Sequence, residues 1–245
     1  MTTKTAEEKK LLNKVSRLYL TRDISREKAM RFERMIVNHL LKWVKGPRVL
    51  EMGFGDDLWT ALLIKKFRQS FIIDASSHLL DKAKTKYGKK VIGIHSLFED
   101  YEPEKKYDTV IASYILEHVL NPVEILKKAH SWVNKNGKII LVVPSANSYH
   151  RQLAVAMGMQ KRPDELGASD KKIEHRRVYT MSKFRKDIER SGLTIIKEQG
   201  LFLKFLPQSY MVNWPDKVIE GFFKLSLKEP TDQCASLAVL CKKTK

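Results

Sequence analysis

Glu51, Gly53, Gly55, Asp56 and Asp57 crowd into one short stretch, and Asp74 follows about 20 residues past the glycines. The apolar pair Val49-Leu50 precedes the first group, and Phe71-Ile72-Ile73 leads into Asp74. Strand, glycine turn, helix, strand and an acid at the strand tip form the start of a nucleotide-binding α/β sheet. The alternative is a plain turn with an aspartate at a helix start. A dinucleotide would lay its pyrophosphate on the helix N-terminus, where the carboxylates of Glu51, Asp56 and Asp57 would repel it. The third glycine of G-x-G-x-x-G is also replaced, by Leu58. These acids suit a ligand with a cationic amino-acid end. S-adenosylmethionine (SAM) carries an ammonium, a sulfonium and a ribose diol, whose two donors match a carboxylate such as Asp74.

The elements that must hold these residues follow from apolar periodicity. Residues 5 to 45 carry apolar positions at helical spacing, which predicts two helices ended by Gly46-Pro47. Strands are predicted at Arg48–Met52, Ser70–Asp74, Val91–Ile94, Tyr107–Ala112, Lys138–Val143, Leu193–Glu198 and Ser236–Cys241. Helices are expected at 58–67, 77–87, 122–133 and 182–191, with Asn136-Gly137 as a turn. Strict alternation breaks at 145–180 and again at 201–230. The domain division is therefore an N-terminal helical cap over 1–46 and a nucleotide-binding domain over 47–245. Within the latter, 145–180 is a substrate-covering insert and 201–230 a second insert. The last two strands have only an irregular insert between them and can pair antiparallel at a sheet edge.

The chain of 245 residues has an apolar fraction of 43%, enough for one large α/β domain. Its two cysteines, Cys234 and Cys241, suggest no disulfide framework, so a cytoplasmic setting is expected. No signal peptide and no membrane span are expected. The net charge of +18 favours anionic partners, although the lysines are scattered over presumed outer helix faces and turns.

The motifs Val49-Leu50-Glu51-Met52-Gly53-Phe54-Gly55, Asp74, Phe98-Glu99-Asp100, Leu116-Glu117-His118-Val119 and Gly137-Lys138-Ile139-Ile140 resemble those of class I SAM-dependent methyltransferases. Within that class the chain looks like the type 11/12 small-molecule branch, which includes ubiquinone-pathway and sugar O-methyltransferases. The resemblance implies a Rossmann-like, doubly wound seven-stranded sheet of order 3-2-1-4-5-7-6, its last strand antiparallel. It implies that Glu51 orients the amino group of SAM and that Gly53 and Gly55 admit its methionine part. Asp74 would take the ribose hydroxyls, while Ala75, Leu97, Phe98 and Glu99 flank the adenine. Ser113 and Tyr114 would face the methionine part. The family often has glycine at the place of Asp57. S-adenosylhomocysteine (SAH) would be the product.

Methyl transfer is an in-line displacement in which positioning supplies most of the acceleration, and a hydroxyl acceptor also needs a base. His118, His150 and His175 are the candidates; packing or lid histidines are the alternative. Some relatives carry Glu-x-x-Glu-His after strand four; here Tyr114 replaces the first acid, so no metal is assigned. Tyr149, Arg151, Arg176, Arg177 and Tyr179 are the candidate acceptor-binding residues, because arginine forks match phosphate and carboxylate. Alternatively, the arginines pair with Asp164, Glu165, Asp170 and Glu174. The aromatic run Phe202 to Phe223 is expected in the core or a homodimer interface. The function expected is methyl transfer to a hydroxyl of a small anionic molecule: a sugar, nucleotide sugar or phosphorylated cell-surface precursor. RNA methylation and a non-catalytic SAM-binding regulator are the alternatives, with no stable nucleic acid expected as partner.

Overall fold

A computed structural model describes residues 24–244. The first of the two expected N-terminal helices lies outside the described residues. The second is α1 (Ile24–Leu40), continued by a 3₁₀ turn at Leu41–Trp43. It buries Phe32, Ile36, Val37 and Leu40, a stripe at helical spacing, against one face of the sheet.

Then strands and helices alternate: β1 (Val49–Met52), α2 (Leu58–Lys66), β2 (Ser70–Asp74), α3 (Ser77–Tyr87), β3 (Val91–His95), β4 (Tyr107–Ser113), α4 (Pro122–Trp132) and β5 (Val133–Pro144). Ser76 caps α3 and Asn121 caps α4, with Pro122 inside the first turn, where its missing N–H leaves nothing unpaired. The chain continues through α5 (Tyr149–Ala156), α6 (Ala168–Lys172), α7 (Met181–Arg190), β6 (Leu193–Leu201), α8 (Gln208–Met211), α9 (Asp216–Ser226) and β7 (Ser236–Lys243).

The sheet order is β3-β2-β1-β4-β5-β7-β6. The first five strands are mutually parallel, and β7 runs antiparallel to both β5 and β6. This is the expected topology. Asn136-Gly137 is not a free turn but part of β5. Tyr107 pairs with Val133 and Thr109 with Lys138, so the intervening residues bulge out, and Asn134 donates to Asp108 at 2.6 Å.

Side-chain alternation divides the core into two layers. Val49, Ile111, Ile140 and Val142 face α1, α2 and α9, whereas Leu50, Met52, Val110, Leu141 and Val239 face α4 and α7. All four residues of β1 are buried, as expected of a parallel strand covered on both faces. The aromatic run mostly joins the core: Phe202 is buried and packs edge-on against Phe32, and Phe222 and Phe223 pack against the same cluster. Cys234 and Cys241 are free and buried. Among the described residues no helix is long and apolar enough to cross a membrane.

Candidate active site

Ligands of open α/β sheets bind beyond the carboxyl ends of the strands, where the strand order reverses. Here that point lies between β1 and β4, and a cavity of about 1300 Å³ opens there. All ten residues expected to hold the cofactor line it. Gly53 has φ +75°, and a Cβ there would come within 2.9 Å of the Ile115 side chain. Only glycine leaves that surface open.

The acids of the turn divide. Glu51 is buried, and Thr60 donates to it. Burial, reinforced by the neighbouring Asp57 and Asp74, pushes its carboxyl up to about 8 against the Thr60 hydrogen bonds. Asp56 lines the cavity, but Asp57 does not. Asp57 adopts φ +61°, the left-handed conformation glycine favours, and turns its carboxylate to Lys86 at 2.6 Å and the Tyr87 hydroxyl at 3.0 Å. The expectation of three turn carboxylates facing the ligand is thus corrected to two. Asp74 braces the loops around it, accepting from the Phe54 N–H at 2.9 Å and the Ser76 N–H at 2.8 Å. A carboxylate has about four acceptor positions, so capacity for a diol remains.

The other half of the cavity is built by the segment after β4 and the two inserts. Tyr114, at φ +56°, swings its hydroxyl to Ser236 at 2.7 Å. Glu117 is fully buried, and among the described residues neither of its carboxylate oxygens has a hydrogen-bond partner. Burial pushes this carboxyl up to about 8, opposed by the charge of Arg177. His175 approaches it to 4.0 Å through Nε2, and its Nδ1 lies 3.0 Å from Asp170. The His118 ring stands edge-on to His175 at 4.7 Å between centroids, and burial, with the His175 charge, lowers it to about 4. Potential donor atoms of Glu117, His118 and His175 all lie within 4.8 Å of one another, so these three would hold a divalent cation if one binds. His150 lines the cavity with Nδ1 3.0 Å from the Ser148 hydroxyl, and burial depresses its pKa to about 2.

Among the expected acceptor-binding residues, Arg151 and Arg176 line the cavity; Tyr149, Arg177 and Tyr179 do not. Tyr149 stacks on Phe205 and donates to Gln233 at 2.6 Å. Arg177 donates to the carbonyls of Leu116, Val119 and Leu120, which the irregular segment after β4 leaves without ladder partners. Tyr179 is fully buried and donates to Asp187 at 3.3 Å. These three have structural duties, which corrects the expectation that they touch the acceptor. Arg151 is also engaged: it donates to Asp170 at 2.7 Å and to the carbonyls of Pro163 and Glu165. Pairing within the insert therefore describes Arg151, and likewise Arg162, which meets Asp164 at 3.0 Å.

Glu33 and Lys204, which also line the cavity, lie outside the sequence expectations. Glu33 interrupts the apolar stripe Ala29-Ile36-Val37-Leu40 of α1, and Lys204 interrupts the run Leu201 to Leu206. An isolated charge inside an apolar pattern is the signal that could have found both.

A sequence profile described as Methyltransferase domain matches residues 18–198. The chain belongs to that family. Its sheet order and glycine-turn cavity place it with the class I SAM-dependent methyltransferase domains. The ubiquinone biosynthesis O-methyltransferase of Bradyrhizobium diazoefficiens is 28% identical over 130 residues, covering 52% of this chain and 50% of that protein. The chain spans about half the length of the curated relatives it matches. A solved SAM-dependent methyltransferase of Thermotoga maritima, described as a possible histamine N-methyltransferase, has a TM-score of 0.66 at 15% identity, covering 96% of this chain and 97% of that one. The magnesium protoporphyrin IX methyltransferase of Synechocystis, solved with SAH bound, has a TM-score of 0.61 at 15% identity over 91% and 89% of the two chains. At such identities the likeness to this methyltransferase domain is one of fold.

Proposed function

We propose that this domain binds SAM in the Glu51–Asp74 half of the cavity and methylates a hydroxyl of a small anionic molecule in the other half. A sugar, a nucleotide sugar or a phosphorylated cell-surface precursor fits this reading, which places the protein in carbohydrate biosynthesis in the cytoplasm. When bound, SAM supplies the methyl group on its sulfonium and leaves as SAH. The fit to the cofactor is supported by the Gly53 surface that any side chain would fill and by the two acids beside it.

The observation that carries the reading is the orientation of His175. Asp170 holds Nδ1 at 3.0 Å, which fixes the tautomer with Nε2 free to accept and turned toward Glu117 and His118. A carboxylate-braced imidazole is suited to take the proton of an alcohol as the methyl group arrives. A primary amine acceptor would need only its neutral form. Glu117 Oε1, 4.0 Å from Nε2, can stabilise the imidazolium that results. Arg176 lines the rim with its Nε held by the His118 carbonyl, so only its terminal guanidinium nitrogens remain for the anionic part of the acceptor.

A second reading is favoured by the convergence of Glu117, His118 and His175. One oxygen and two imidazoles suit a borderline cation such as zinc better than magnesium. There the three residues would orient the cation, and the acceptor hydroxyl would lose its proton more readily beside it.

The test is incubation of the purified protein with methyl-labelled SAM and a fractionated cell extract, followed by mass spectrometry of labelled products. A methyl ether on a small anion is expected. Label in RNA, or on nitrogen alone, overturns the reading. SAH binding with no transfer to any fraction would indicate a regulator instead.

A further inference from the structure

The acceptor half contains an ammonium with no partner among the described residues. Lys204 follows β6 directly, behind the buried Phe202 and Leu203, and lines the cavity. Its carbonyl accepts from the His150 N–H at 2.9 Å, which fixes the loop. Its side chain makes no hydrogen bond or ion pair with any described residue, and burial lowers its pKa against the attraction of Glu33. The arginines near the cavity are engaged at least in part, and Lys172, which also lines it, is exposed to solvent. Arg151 holds Asp170 and two carbonyls, Arg177 holds three carbonyls, and Arg176 donates through Nε to the His118 carbonyl. A desolvated ammonium without a counter-charge is unfavourable, so Lys204 is the cation best prepared to receive an anion.

Glu33 faces the same space from α1. Gln208 donates to its Oε1 at 3.3 Å, and its Oε2 is buried with no partner among the described residues. The two charges influence each other but do not form an ion pair. They are held apart by the framework. Arg31 gathers the carbonyls of Met211, Val212 and Trp214, and Gln208 also donates to the Ala29 carbonyl, so α1 and the second insert are clamped together.

We propose that Lys204 and Glu33 form the recognition pair for the methyl acceptor. The Lys204 ammonium takes a carboxylate or phosphate oxygen, and Glu33 Oε2 accepts from a hydroxyl of the same molecule. The ligand class is a hydroxylated small-molecule anion. The pair rests on the reading of this cavity half as the acceptor site. It moves anion recognition from the arginines of the first insert to a lysine of the second.

Two measurements test it. The first does not depend on turnover: the SAH complex is pulse-labelled with acetic anhydride and each lysine is read by peptide mass spectrometry. Glucose 6-phosphate or gluconate should protect Lys204, neutral glucose should not, and surface lysines should be unaffected. Protection by one anion and not the other identifies phosphate or carboxylate. No protection by either overturns the pair. So does a Lys204 that is unreactive in the wild type and reactive in Glu33→Gln, because that marks an internal ion pair.

The second measurement uses the anion-exchange-retained extract fraction that supports methyl transfer. Lys204→Met should raise the acceptor KM at least about 30-fold, Lys204→Arg should restore most of it, and SAH affinity by calorimetry should be unchanged in both. Lys204→Met with wild-type KM overturns the pair. If the wild type transfers no methyl group to any fraction, the methyltransferase reading fails, while the labelling result still decides whether Lys204 and Glu33 bind hydroxylated anions.

Discussion

Titrating the protein with SAH from about pH 6 to about pH 8 tests the electrostatics of the β1 turn. Burial and the charges of Asp57 and Asp74 place the Glu51 carboxyl at about 8, against 4.5 for a free glutamate. A ligand ammonium facing Glu51 selects its ionised form. With a pKa of about 8, roughly 1% of Glu51 is ionised at pH 6 and about half at pH 8, so affinity should rise roughly 50-fold across that window, or about 2 kcal/mol. Near pH 6 binding should release about one proton, which calorimetry in two buffers of different ionisation enthalpy counts directly.

The sign for the free protein is opposite. A carboxyl whose folded pKa lies above its unfolded value contributes stability fully present below about 4.5 and lost as pH rises through about 8. Bound SAH should therefore protect the fold most at the alkaline end. Glu51→Gln should flatten the pH dependence of SAH affinity and leave it weak at pH 8. A dissociation constant independent of pH in the wild type, with no proton released, would refute the reasoning. An unchanged slope in Glu51→Gln would assign the effect to Asp74 instead, whose carboxyl burial also raises.

His175→Gln should lower kcat by about 10²–10⁴-fold with SAH affinity unchanged; a wild-type kcat removes His175 as the base. Arg151→Met should leave Asp170 buried without its cation, at about 3–5 kcal/mol, and limited proteolysis should cut between Lys161 and Lys172 before the sheet unfolds. Burial alone would raise the Asp170 carboxyl, but His175 and Arg151 hold it well below the usual carboxylate range. The same loosening should therefore appear in the wild type as pH falls below about 3.8. Zinc should raise the Tm of the wild type and not of Glu117→Gln; equal shifts in both proteins place the cation elsewhere.

The sheet and the gathering of the Glu51–Asp74 residues around one cavity were legible because those residues are placed by strand geometry. Once β1, β2, β3 and β4 are read as parallel strands, Glu51, Asp74, Leu97 and Ser113 must lie at or just beyond carboxyl ends on one edge, whatever the helices do. Asp57 shows the limit of that logic: one residue at φ +61° sends a carboxylate to Lys86 instead of the ligand. In the half of the cavity built by the segment after β4 and the two inserts, no ladder sets direction. His175 and Arg177 are two residues apart, yet one imidazole meets Glu117 while the guanidinium closes three carbonyls of the segment after β4. Residue type told which groups could bind an anion, but unpaired backbone claimed Arg177 and part of the fork of Arg151 first. Glu33 and Lys204 come from elements far apart in the chain, joined through the Arg31 and Gln208 clamp. What a sequence can show there is the anomaly, a charge where the pattern asks for an apolar side chain; its partner is visible only in three dimensions.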